Sequence, residues 1–295
     1  MRSETIEANG LRFHTRVDGP PDAPLLLLLH GFPEYSGGWA DIMPLLAERY
    51  FCVAPDQRGY GRSDKPEGAP SYTGGKLARD AAAIIAHYRP EGRAFVFGHD
   101  WGASVAYALA IAAPELVEKL VIANGVHPIP FQKALAAGGA QTDASQYITW
   151  LRREGSEDKL LENDCALLRR MFAEGMDMSW FEGETADAYI REWSRPGALK
   201  AMVNWYRATP LVVPPAGEAA APESLPDLPA DAMRIAMPHL LIWGANDTAL
   251  RPEARDGIEA LCDAGFEMVE FPDADHWILH QQPGAVAREV KRFLG

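Results

Sequence analysis

Between Val96 and Tyr107 the chain reads VFGHDWGASVAY, which sets Asp100 between Gly98 and Gly102 where a compact apolar run gives way to a helix-like one. Gly-x-Asp-x-Gly has the spacing of a nucleophile elbow, in which glycines permit a sharp turn and lift the central side chain above a sheet. Most such turns carry a serine or cysteine, suited to acyl carbon. A carboxylate, with an ordinary pKa of about 3.9, is already ionised at neutral pH and can displace a leaving group from saturated carbon. That step leaves an alkyl ester on the enzyme, so a base is needed to direct water at it.

Candidates for that base follow in order along the chain. Asp247 ends the strand-like LLIWGAND, and His276 follows the next strand in EFPDADHW. The order nucleophile, acid, histidine is that of one class of hydrolytic triad. His276 would activate water, while Asp247 would hold the ring in its useful tautomer and stabilise the imidazolium. Asp273 and Asp275 are too near His276 in the same turn to orient it well, and read as solvated turn carboxylates. His30-Gly31-Phe32-Pro33-Glu34 follows the five leucines Leu25 to Leu29, and a glycine-containing loop at a strand's carboxyl end can aim N–H groups at an oxyanion. The amides of Phe32 and Trp101 are the two donors expected.

The elements that must hold these residues alternate. GLRFHTRV, LLLLLHG, FCVAPD, AFVFGHD and KLVIANG read as buried strands, with WADIMPLLAERY and KLARDAAAIIAHY as intervening helices. This pattern predicts an α/β sheet with helices on both faces. From His127 the strands cease and helix-like, aromatic-rich stretches such as SQYITWLRREGSEDKLLENDCALLRRMFAEG take over. A proline- and alanine-rich return, TPLVVPPAGEAAAPESLPDLPADAM, precedes the strands HLLIWGAND and FEMVEFPDADH and a final helix, AVAREVKRFL. The organisation expected is a core of residues 1–126 and 236–295 with a helical insertion over 127–235. DQRGYGRSD, residues 56–64, reads as a structural loop at a strand end.

Composition narrows the function. With 295 residues, 47% of them hydrophobic, the chain can bury one large core. A net charge of −13 disfavours nucleic acid and anionic membranes and points to a small neutral substrate. No apolar run approaches the roughly 20 residues of a membrane span and the N-terminus has no apolar signal core, so a cytoplasmic protein is expected. Cys52, Cys165 and Cys262 are too dispersed for a zinc site or disulfide framework and read as plain thiols. No metal or organic cofactor is expected, and a homodimer is compatible with the sequence.

HGFPE, DQRGYGRSDKP, GHDWGASVAY, NWYRA, WGAND and DADHW, at these intervals over nearly the whole chain, resemble the α/β-hydrolase superfamily and, within it, the epoxide hydrolase and dehalogenase branch. The resemblance implies an eight-stranded, mostly parallel sheet with a helical cap inserted after the sixth strand, and a cis peptide before Pro33. Epoxide opening develops charge on a strongly basic alkoxide, so an acid still protonated at neutral pH must meet it, and tyrosine qualifies. The resemblance puts Tyr206, in Asn204-Trp205-Tyr206-Arg207, and Tyr147, in Ser145-Gln146-Tyr147-Ile148, in that role. It also sets Phe32, Trp101 and Trp205 against substrate.

Dehalogenation with the same aspartate is the alternative, because halide leaves without a proton. Against it, the residues after the nucleophile, Trp101 to Ser104, lack the arginine that grips a carboxylate in fluoroacetate dehalogenases. Some dehalogenases carry the triad acid after the sixth strand, where this chain has Asn124, and an asparagine donor where it has Phe32. A non-catalytic ligand-binding protein is the third reading, and it would leave a complete triad unused.

Overall fold

The computed structural model describes residues 1–295. Strands β1 (Arg2–Ala8) and β2 (Leu11–Asp18) form a hairpin closed by Asn9 and Gly10 at φ of 49° and 73°. Asn-Gly accepts positive φ at both central positions, as the tight hairpin turn requires. The sequence reading assigned no strand to residues 2–8. They join the sheet because Ile6 and Ala8 alternate onto the core while their neighbours face water.

Strands β3 (Leu25–Leu29), β4 (Phe51–Pro55), β5 (Ala94–His99), β6 (Val117–Ala123), β7 (His239–Gly244) and β8 (Phe266–Phe271) complete an eight-stranded sheet. Its order is β1-β2-β4-β3-β5-β6-β7-β8, parallel from β4 onward and antiparallel at β1 and β2. Leu25, Leu27 and Leu29 pack into one apolar core while Leu26 and Leu28 pack into the other, on the opposite face. The unbroken run of leucines is thus a strand buried on both sides. The chain reverses direction across the sheet on either side of β3, and the crevice beyond the ends of β3 and β5 is where such sheets bind ligands.

Helices α1 (Met43–Leu46), α2 (Gly74–Tyr88) and α3 (Trp101–Ala112) belong to this core. The helix expected over residues 39–50 is reduced to α1 and a 3-10 turn at Ser36–Trp39. Pro44 lacks an N–H and crowds the preceding residue, so it serves a helix start but not a helix interior.

Only helices lie between β6 and β7: α4 (Pro128–Ala136), α5 (Ala140–Ala144), α6 (Gln146–Leu151), α7 (Ser156–Ala173), α8 (Gly183–Trp193) and α9 (Ala198–Ala208). Gly155, at φ 75°, separates α6 from α7, and α7 itself bends at Asn163 to Cys165, all left-handed. Residues 209–233 return irregularly to β7, and α10 (Ile278–Gln281) and α11 (Pro283–Leu294) end the chain. No helix is long and apolar enough to cross a membrane.

The inserted helices are tied to the core through buried polar contacts. The Trp193 indole donates to the Pro33 carbonyl at 2.6 Å, and the Trp205 indole donates to the Arg58 carbonyl at 3.0 Å. Arg58 is itself fixed by a buried ion pair with Asp80 at 2.6 Å. The 56–64 loop therefore carries one end of α9. Its Asp56 carboxylate accepts from the Ser36 and Arg62 amides, each at 2.9 Å, which fixes the turn itself.

Candidate active site

Asp100 caps the end of β5 at φ 51°, ψ −121°, a backbone region that side chains other than glycine rarely enter. Close packing on both sides enforces it. A Cβ on Gly102 would collide with the Leu29 carbonyl, and one on Gly31 would strike the Asp100 carboxylate. These two glycines let the β3 and β5 loops approach until the Phe32 amide donates to Asp100 Oδ1 at 2.6 Å. The Phe32–Pro33 peptide is cis. The Trp101 amide stands at the first position of α3, where helix N–H groups have no intrahelical partner. Of the two expected oxyanion donors, the Phe32 amide thus contacts the carboxylate, and the Trp101 amide directly follows Asp100 in the chain.

Asp247 and His276, at the ends of β7 and β8, converge on it. His276 Nδ1 lies 2.7 Å from Asp247 Oδ2, and Nε2 lies 3.6 Å from Asp100 Oδ2. The second distance exceeds a hydrogen bond, so Asp100 acts on the ring mainly through charge. Burial pushes His276 toward the neutral form, but the Asp247 carboxylate, followed by Asp100, outweighs it and holds the ring well above the usual imidazole range. For Asp247, burial raises the pKa, and the facing His276 with the Leu250 amide and Asn124 bring it below the ordinary carboxylate value. The ring therefore stands between two carboxylates, both of which favour its protonated form.

Tyr147 on α6 and Tyr206 on α9 face Asp100 across a cavity of about 490 Å³ that also contains Phe32, His276 and Trp277. The two tyrosine rings meet edge to face at 6.0 Å, and Tyr206 packs similarly on Phe32 and Trp101 at 5.1 Å each. Burial, followed by the Asp100 charge, raises the Tyr147 pKa. Burial, followed by Tyr147 and Asp100, raises that of Tyr206 well above the phenol value. Both hydroxyls therefore remain protonated donors at neutral pH. No lysine or arginine lines this cavity.

Two expectations need correction. Trp205 does not line the cavity: it is buried behind Trp101, 5.9 Å between ring centroids, with its N–H used on Arg58. One turn of α9 cannot present two consecutive side chains to the same space, and Tyr206 takes the inward position. Asp275 is not a solvated carboxylate: it is buried, accepting from the Trp277 amide at 2.9 Å and the Asp177 amide at 2.7 Å, and so fastens the loop after α7 to the histidine turn.

Sequence reasoning gave Glu34 no role. The structure buries it behind the site, where Oε2 lies 3.0 Å from His99 Nδ1 and Oε1 accepts from Tyr189 at 2.7 Å and His280 at 2.9 Å. The other nitrogen of His99 meets the His276 carbonyl at 2.8 Å, while His280 stacks on Trp180 and reaches Asp41. Burial opposes the Glu34 charge, but hydrogen bonds from His280 and His99 hold it well below the usual carboxylate range. Burial likewise opposes charge on His280, and Asp41 with Glu34 raise it. The only sequence signal was a glutamate directly after HGFP and a histidine four residues beyond His276.

A sheet with this strand order, an aspartate elbow after β5, an acid after β7 and a histidine after β8 define an α/β hydrolase. The model for the alpha/beta hydrolase fold matches residues 24–283, and the chain belongs to that family. It is 35% identical to the AB hydrolase superfamily protein YfhM of Bacillus subtilis over all of this chain and 98% of that protein. It is 30% identical to human Epoxide hydrolase 4 over 98% of this chain and 77% of that protein. A solved structure from metagenomes of hot environments, described among novel epoxide hydrolases, superposes with a TM-score of 0.89 at 34% identity, covering 100% of this chain and 99% of that one. Within the family the chain falls in the epoxide hydrolase branch.

Proposed function

We propose that the protein hydrolyses a neutral epoxide to a vicinal diol through an ester on Asp100. The observation that carries the reading is that the Asp100 carboxylate, Tyr147, Tyr206 and His276 all line one cavity. An Asp100 oxygen forms a bond to one oxirane carbon as that carbon's bond to the ring oxygen breaks. Tyr147 and Tyr206 hold the departing oxygen, and one of them gives it a proton, leaving a hydroxyalkyl ester and a tyrosinate. His276 then takes a proton from water, whose oxygen adds to the Asp100 carbonyl carbon, with the Phe32 and Trp101 amides on the oxyanion. Collapse breaks the bond between the Asp100 carbonyl carbon and the alkyl oxygen, which takes the second hydrogen of the water. This frees the diol and restores the carboxylate, and the proton on His276 replaces the one the tyrosine lent. Epoxide plus water gives diol.

The names of the relatives support this reading over halide displacement, and so do the absence of a cationic clamp and the presence of two acids that halide release does not need. The test is single-turnover incubation of His276→Gln with styrene oxide and, separately, with 1-bromobutane, followed by mass measurement of the peptide holding Asp100. A hydroxyalkyl adduct from the epoxide and no bromide release is the expected result. Bromide release without an epoxide adduct would overturn the proposal.

A further inference from the structure

Asp100, Tyr147 and Tyr206 border two separate spaces. On one side is the cavity of about 490 Å³, walled by apolar groups such as Met171, Phe172, Met176 and Trp277. On the other is a recess of about 30 Å³ between the Trp101 side and the start of the inserted helices. An oxirane held by the two tyrosines over Asp100 must stand at the border, one carbon facing each space. A cavity that takes a benzene ring is roughly 150 Å³, and one water needs on the order of 10–15 Å³. The recess therefore accepts a methylene or a methyl but no ring, whereas the large cavity lies in the ordinary range for organic ligands of about 300–1,000 Å³.

The recess is small because its walls are fixed. Phe131 of α4, Ile148 of α6, Val126 and Leu250 are all buried. Leu250 cannot retreat without disturbing the triad, since its amide donates to Asp247 Oδ1 at 2.9 Å. The large cavity is bordered by two thioethers, which adapt to ligand shape, and by the carboxylates of Asp143 and Glu174, which disfavour an anionic arm.

Building on the epoxide reading, we propose that the enzyme is selective for epoxides with a single large arm: one neutral aryl or alkyl arm occupies the large cavity, and Phe131 and Ile148 exclude a second arm larger than methyl. Purified enzyme is assayed for kcat/KM on styrene oxide, trans-β-methylstyrene oxide and trans-stilbene oxide. Styrene oxide and its methyl homologue are expected within tenfold of each other, and stilbene oxide at least 100-fold below. Ile148→Ala and Phe131→Ala raise the stilbene-to-styrene ratio at least tenfold. Ile148→Val and Phe131→Leu, which leave smaller voids, raise it by a lesser factor and serve if the alanine variants do not fold. Equal turnover of stilbene and styrene oxides by the wild type, or an unchanged ratio in folded variants, overturns this inference while leaving the epoxide reading intact. Failure to open any of the three defeats the epoxide reading itself, and this inference with it.

Discussion

Asn124 Nδ2 donates to Asp247 Oδ2 at 2.8 Å, the same oxygen that meets His276 Nδ1 at 2.7 Å. The residue at the end of β6, where some relatives of this chemistry carry the triad acid, thus braces the acid at the end of β7. Asn124 also links the two strand ends, accepting from the Gly244 amide at 2.8 Å through Oδ1. Asn124→Ala leaves that buried amide unpaired, costing about 1–3 kcal/mol of stability, and removes the side-chain donor that holds Asp247 Oδ2 at His276. The expected signature is kinetic: ester hydrolysis slows by about tenfold or more, while ester formation, which does not use His276, changes far less. Stopped-flow traces should then show alkyl-enzyme accumulating, and equal slowing of both steps would exclude a positioning role.

His276 must be neutral to act on water, and the carboxylates of Asp247 and Asp100 both favour its protonated form. Esterification removes the charge of Asp100, so the ring should become a better base only once the ester exists. In Asp100→Asn, His276 should therefore titrate at lower pH than in the wild type, read from its imidazole NMR signals. Hydrolysis of the ester should rise with pH through that lower value. An identical titration in the two proteins would remove the proposed link between the steps.

Tyr147→Phe and Tyr206→Phe each delete a proton donor while keeping the ring packing. General acids typically contribute about 10²–10⁴-fold. Where two share the load, each single variant should lose roughly tenfold or more in ester formation from an epoxide, and the double variant far more. Hydrolysis of an ester already formed should be little affected, which separates this effect from general disruption. Unchanged epoxide opening in a folded double variant would take both residues out of the acid role.

Features set by local residue type were legible in the sequence, and those set by meetings across the fold were not. The leucine run, the glycine-flanked Asp100 and the order Asp100, Asp247, His276 each announce themselves, because a strand, an elbow and a strand-end turn impose residue choices within a few positions. Glu34, Tyr189 and His280 lie as far apart as residues 34 and 280 and look ordinary singly; only the packing of both α8 and α10 against the HGFPE loop makes them one group. Trp205 misled for a related reason, since its motif marks α9 correctly but cannot say which of two adjacent aromatic side chains faces inward.

The Glu34 group makes a stability prediction whose sign can be worked out. Glu34 titrates below its ordinary value, so its contribution is present above the unfolded pKa of about 4.3 and is lost as pH falls through the folded one. His280 titrates above its ordinary value, so its contribution is complete below about 6.5 and is lost as pH rises through the folded value. The two overlap between about pH 4.5 and 6.5. Glu34→Gln leaves His280 with Asp41 as its one carboxylate partner, and breaking a buried pair typically costs up to about 3–5 kcal/mol. The gap in unfolding free energy between wild type and variant, measured by urea denaturation from pH 4 to 9, should peak in that window and narrow on both sides. A gap that is flat with pH would mean that Glu34 acts by packing alone, and that the cap helix α8 is held by Tyr189 and Trp193 without help from charge.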